Sequence, residues 1–121
     1  MENLYKRKLE AVENLKFFTE KIMNLSFKIE YQKAEAMIDE RADYYAKVKE
    51  ADDKIKESIN KTTGYKETSQ IKNIKSLIRK SLEETIEMDK CIRKNLNEEL
   101  KNVKLSLNQP STSSKVLNVK A

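Results

Sequence analysis

Apolar residues recur every three or four positions along most of this chain, a spacing that places them on one face of an α-helix. One such stripe runs from residue 4 to residue 29, and a second runs from residue 34 to residue 59. Extending the first stripe in phase would bury Asp39, Asp43 and Glu50, so the two stripes cannot share one straight helix. The first consists of Leu4, Ala11, Leu15, Phe18, Ile22, Leu25 and Ile29, and the second of Ala34, Ile38, Tyr45, Val48, Ile55 and Ile59.

The change of phase predicts a break near Lys28–Lys33. One residue of displacement rotates a helix face by about 100°, whereas a straight helix drifts against a heptad by only about 20° per repeat. The alternative is a kink or a skip inside one continuous helix. The second helix is expected to end near Gly64, the only glycine of the chain, and Ser69 is in position to cap the next helix.

The third predicted helix has two apolar stripes, which indicates two neighbouring helices. With a single glycine and a single proline there is little turn chemistry for a sheet. We therefore expect an all-α fold, an antiparallel three-helix bundle with long coiled-coil-like helices over about 2–28, 33–60 and 69–107. The main stripe is Ile71, Ile74, Ile78, Leu82, Ile92, Leu96 and Val103, and the second is Leu77, Met88 and Cys91.

The bundle domain is predicted to cover residues 1–107. The segment 108–121, "NQPSTSSKVLNVKA", has a proline and several serines in its first half and cannot fold alone. It is expected to be either a flexible tail or a docking segment.

Two charged residues interrupt the apolar stripes of the second and third helices. If these helices form a hairpin through Gly64, facing residues have numbers that sum to about 130. Arg41 then lies opposite Asp89, so we predict a structural ion pair that sets the register between the two helices. Asp52 also interrupts the second stripe, and its predicted partner is Lys56, four residues further on.

The residue types argue against an enzyme. The chain has no histidine, and no glycine-rich loop that could hold a phosphate. Cys91 lies on an apolar stripe beside Met88, which favours a buried structural thiol over a nucleophile. We expect no catalytic residue, no metal and no cofactor.

The net charge of +5 is concentrated in the second half, where 13 basic residues face 7 acidic ones. Only 4 of the 25 basic residues are arginine, the residue that grips phosphate with two parallel hydrogen bonds, so the pattern argues against nucleic-acid binding. No window is apolar enough to span a membrane. A single cysteine fits a reducing compartment, and we expect a cytoplasmic protein.

A protein-binding surface is the remaining functional prediction. Apolar residues continue to the end of the third helix, and they either complete the core or form a groove for an amphipathic helix from a partner. The candidate partner-binding residues are Leu96, Leu100, Val103, Leu105 and Leu107.

Over roughly residues 10–105 the chain resembles the FlgN/FliT-type flagellar export chaperones. The resemblance depends on an amphipathic first helix, then "AEAMIDERADYYAKVKEADDKI", a short polar loop and "LIRKSLEETIEMDKCIRKNL". It implies a small helical chaperone that binds the C-terminal helical region of an exported flagellar axial protein and delivers it to the export apparatus. The three-helix layout with a short tail is closer to the filament-cap branch than to the hook-associated one.

Two other functions fit the same patterns. One is a structural coiled-coil dimer without cargo, in which the first two helices are continuous and the hairpin pairs with a second copy. The other is a basic nucleic-acid-associated protein that uses the positive second half. The sequence is compatible with a monomer or a homodimer.

Overall fold

The computed structural model describes the backbone of residues 1–107 and the side chains of residues 1–102. The described chain consists of three helices, α1 (Glu2–Met23), α2 (Tyr31–Lys61) and α3 (Ser69–Leu107), and contains no strand. The predicted all-α three-helix bundle is confirmed. The predicted tail, residues 108–121, lies outside the described part of the chain.

Cross-helix contacts define the direction of each helix. Lys8 contacts Asp52 at 2.8 Å, and Lys16 contacts Glu84 at 2.7 Å. The start of α1 packs with the end of α2 and the start of α3, and the end of α1 packs with the start of α2 and with Ile92 of α3. Residue numbers therefore run in opposite directions along α1 and α2 but in the same direction along α1 and α3. The helices run up, down and up, and α1 lies closer to both neighbours than α2 and α3 lie to each other.

The first helix is shorter than predicted, because it ends at Met23 rather than near residue 28. The chain then forms a turn in which the Glu30 amide donates to the Ser26 carbonyl at 2.7 Å, and the Ser26 amide donates to Oε1 of Glu30 at 3.2 Å. The predicted break is therefore present, and a continuous helix through residues 24–30, required by the structural-dimer hypothesis, is wrong.

The turn also changes which side chains are buried. Helical periodicity ends at Met23, so the first stripe does not continue inward as predicted, and Ile29 is 83% exposed. Phe27 is buried instead and packs with Phe18 and Ile22. In a turn, the local backbone conformation decides the direction of each side chain, so the 3.6-residue period of a helix no longer applies.

The α2–α3 connection follows the predicted turn chemistry with one difference. Gly64 has a φ of +71°, the only positive φ among residues 1–107, and this left-handed conformation favours glycine. Thr68, rather than the predicted Ser69, caps α3, because its hydroxyl accepts a hydrogen bond from the Ile71 amide at 3.2 Å. At the other side of the turn, the Thr62 hydroxyl donates to the Ser58 carbonyl at 2.7 Å.

The core consists of two apolar clusters, one towards each end of the bundle. The central helix α1 contributes to both, and its buried residues Tyr5 and Val12 were not part of the predicted stripe. A helix with two neighbours buries a wider face than one seam contains. The first cluster contains Tyr5, Val12, Ile55, Ile71, Ile74 and Ile78, and the second contains Phe18, Ile22, Phe27, Ala34 and Ile92.

The second stripe predicted for α3 does not form an interface among the described residues. Leu77 is 53% exposed, and Cys91 is exposed as well, with the Asn95 amide 3.9 Å from its sulfur. The prediction of a buried thiol is therefore wrong. Met88, the third residue of that stripe, is half-buried, so the face that the three residues share is largely directed to solvent.

Candidate docking groove

A buried polar layer separates the two apolar clusters. Nη2 of Arg41 on α2 donates to Oδ1 of Asp89 on α3 at 2.9 Å, and each residue is only 9% exposed. The structure thus brings together the two residues that the hairpin register placed opposite each other. Thr85, one turn before Asp89, is also buried, and its hydroxyl donates to the Ser81 carbonyl at 2.7 Å.

The carboxylate of Asp89 is shared between two guanidinium groups. Nε of Arg93 lies 2.8 Å from Oδ2, while Arg41 occupies Oδ1. Two cations on one anion leave this cluster with a net charge of +1. Arg93 is attached to the outside of the bundle, since 76% of its side chain is exposed.

Arg41 is held on its other side by Tyr45. Its Cζ lies 5.6 Å from the Tyr45 ring centroid, a distance at which a guanidinium is attracted to an aromatic face. Its Nη1 is buried and has no hydrogen-bond partner among the described residues. Arg41 therefore has its counterion in Asp89 but keeps one buried donor without a partner in this part of the chain, which costs stability.

A groove of about 260 Å³ opens between α2 and α3 beside this layer. Tyr45 on α2 and Ile86 on α3 are 46% and 55% exposed and stand at its two sides, while Leu15 of α1 contributes to the floor. A groove forms here because the α2 and α3 backbones are farther apart than either is from α1. The lining residues are Leu15, Tyr45, Leu82, Thr85, Ile86, Asp89, Lys90 and Arg93.

A row of side chains on α3 begins in the groove at Ile86 and Arg93 and ends beyond it at Leu100. Ile86, Arg93 and Leu100 are seven residues apart and therefore share one helix face, which we call the outer row. It covers about 21 Å between its ends, at 1.5 Å per residue. Leu100 is 45% exposed. The outer row presents apolar, cationic and apolar side chains in that order.

The predicted partner-binding residues fall into three groups. Leu96 is half-buried and packs against the second cluster, so it contributes to the core. Leu100 is exposed at the end of the outer row. The side chains of Val103, Leu105 and Leu107 lie outside the described part of the structure, although α3 continues through them as a helix.

Asp52 has two partners rather than the one predicted. Besides Lys56 at 3.0 Å, it accepts a hydrogen bond from Lys8 of α1 at 2.8 Å. Both hydrogen bonds lower the pKa of the Asp52 carboxyl below its ordinary value of 3.8, and the one from Lys8 has the larger effect. Asp52 therefore ties α2 to α1, whereas Asp89 ties α3 to α2.

The roles of Tyr45, Ile86 and Arg93 in the groove were not predicted from the sequence. Leu82, Asp89 and Leu96 form a row with seven-residue spacing, and the outer row runs directly beside it with the same spacing. The sequence feature that could have indicated a binding surface is the combination of two apolar residues and one arginine in the outer row. Spacing alone does not tell which of two adjacent rows faces a neighbouring helix.

The described residues hold no group of three or more histidine, cysteine or acidic side chains that could bind a metal. None of the helices in residues 1–107 has the length of apolar sequence that a membrane crossing requires. The chain matches no family model, no curated protein and no solved structure.

Proposed function

We propose that this protein is a helix-binding chaperone that holds an amphipathic helix from a partner in the α2–α3 groove. The observation that carries the proposal is the pair of large, half-exposed apolar side chains, Tyr45 and Ile86, on opposite sides of one groove. Helix-binding proteins use such grooves to bury the apolar face of a partner helix. Leu100 extends the same apolar surface towards the end of α3.

The proposed partner is the C-terminal helical region of an exported flagellar axial protein, of the filament-cap or hook-associated type. This choice depends on the resemblance of the sequence to the FlgN/FliT-type chaperones. In this proposal the chain works in the cytoplasm and delivers its cargo to the export apparatus. The candidate surface is Tyr45 and Ile86, with Leu96, Leu100, Val103, Leu105 and Leu107 along the rest of α3.

The test is calorimetry with C-terminal helical segments of filament-cap and hook-associated proteins. We expect at least one segment to bind the full chain, and the Ile86→Asp variant to weaken binding at least tenfold because it places a charge in the apolar contact. Leu77→Asp is the matched control, since Leu77 is also about half-exposed on α3 but lies on another face.

Two outcomes would contradict the proposal. The first is that none of the segments binds the chain. The second is that Ile86→Asp and Leu77→Asp weaken binding equally, which would place the contact away from the groove. Circular dichroism of both variants establishes that each remains folded.

A further inference from the structure

The outer row of α3 has a charge in its centre, and this charge is exposed. Arg93 uses Nε for Asp89, and the rest of its guanidinium is accessible because 76% of the side chain is exposed. A guanidinium has five N–H donors, so several are free to bind a second carboxylate. Asp89 does not neutralise Arg93, because it is already paired with Arg41 at 2.9 Å.

The charge balance around the groove favours an anionic partner at this position. Arg41, Asp89 and Arg93 together carry +1, because one carboxylate is shared between two guanidinium groups. An apolar residue opposite Arg93 would bury part of this charge unpaired, which is costly. A carboxylate would instead form a charge-assisted hydrogen bond with Arg93.

Apolar contacts lie on both sides of this charge at equal distances. Ile86 precedes Arg93 by seven residues and Leu100 follows it by seven. A helix that lies along α3 meets such a row once every two turns, because seven residues span nearly two turns of each helix. The occupant must therefore repeat the pattern of apolar, charged and apolar positions with the opposite charge.

We propose that the groove selects an amphipathic helix with an acidic residue midway between two apolar residues about fourteen positions apart. The acidic residue pairs with Arg93, and the apolar residues contact Ile86, beside Tyr45, and Leu100. This inference rests on the proposed function, and it specifies the chemistry of the partner helix. The pattern fits a helix in either direction, because the outer row is symmetric about Arg93.

The test uses three fluorescein-labelled helical peptides of 22 residues with one apolar seam, identical except for Glu, Gln or Lys at the central seam position. Affinities for the full chain are measured by anisotropy at about 50 mM and about 300 mM salt. We expect the Glu peptide to bind about fivefold more tightly than the Gln peptide at low salt, the Lys peptide to bind most weakly, and the differences to shrink at high salt.

Variants of the chain identify the residue that binds the charged side chain at the centre of the peptide. Arg93→Gln should remove the preference for the Glu peptide. Lys94→Gln, which removes a charge from an adjacent exposed position, should leave it unchanged. Chemical-shift mapping with the ¹⁵N-labelled chain should place the bound peptide at Tyr45, Ile86 and Leu100.

The outcomes separate this inference from the proposed function. Equal affinities for the Glu and Gln peptides, with shifts that map to the groove, would overturn the acidic-residue proposal and leave helix binding intact. Absence of peptide binding, or shifts that map elsewhere, would overturn it as well. The calorimetry with flagellar segments decides the proposed function independently, since those segments are natural sequences and their binding is judged by Ile86→Asp.

Discussion

Arg41 and Asp89 are 48 residues apart in sequence, yet Nη2 of the arginine and Oδ1 of the aspartate lie 2.9 Å apart in the buried layer between the two apolar clusters. The pair is the polar contact that joins α2 directly to α3 at mid-length. Two apolar stripes can shift by one heptad and still bury apolar residues against each other. A buried charge is stable only in the register that brings it to its partner, because an unpaired buried charge is costly. The pair therefore sets the alignment that places Tyr45 beside Ile86.

Removal of Asp89 should lower the free energy of unfolding more than removal of Arg41. Asp89→Ala leaves Arg41 buried without a counterion and should lower the free energy of unfolding by about 3–5 kcal/mol. Arg41→Ala should cost less, because Asp89 keeps Arg93 at 2.8 Å. Urea denaturation of both variants measures the difference. An Arg41→Leu/Asp89→Leu double variant, expected to be more stable than Asp89→Ala, serves as the control, and equal losses in the two single variants would contradict the shared carboxylate.

The turn after α1 offers a matched pair of apolar substitutions. Phe27→Ala should reduce the free energy of unfolding by about 3 kcal/mol, since it leaves a cavity beside Phe18 and Ile22. Ile29→Ala should change it by less than about 0.5 kcal/mol, because that side chain is 83% exposed. Thermal and urea denaturation measure both. The reverse order would mean that α1 continues past Met23 and buries Ile29.

The contribution of Asp52 should depend on pH in a defined direction. The folded protein holds the pKa of this carboxyl below 3.8, so the unfolded chain binds the proton first as the pH falls. The stabilisation is complete above pH 3.8 and is lost as the pH drops through the lower folded value. Asp52→Asn should therefore cost about 0.5–1 kcal/mol at pH 7 and approach zero cost in strong acid.

Urea denaturation at pH 7 and at about pH 2.5 tests this dependence. The exposed neighbour Asp53 provides the control, because Asp53→Asn changes the same formal charge at the adjacent position. If the cost of Asp52→Asn were the same at both pH values, the contacts with Lys8 and Lys56 would not be the source of the stabilisation.

The thiol of Cys91 should react in the folded protein. Because the side chain is exposed on α3, labelling by a maleimide should proceed within a fewfold of the rate in denaturant. Mass spectrometry over a time course gives both rates. A native rate at least a hundredfold slower would indicate that another surface, such as a second copy of the chain, covers this face.

Much of the bundle follows from local sequence patterns. The stripes of α2 and α3 and the turn at Gly64 predicted two helices to within about two residues, because apolar spacing and glycine conformation are properties of short segments. The position of Arg41 opposite Asp89 was also predicted from the sequence. A short hairpin turn fixes the register of the two helices, and in that register the two charged residues that interrupt their apolar stripes face each other.

The tertiary structure decided which faces are buried and where a groove remains. The sequence did not show that α1 would occupy the central position, because the choice depends on how three apolar faces share one core. That choice buries Tyr5 and Val12, turns Leu77 and Cys91 to solvent, and widens the α2–α3 gap beside Ile86. Ion pairs such as Lys8 with Asp52 depend on the same arrangement, because their partners come together only when the helices have packed.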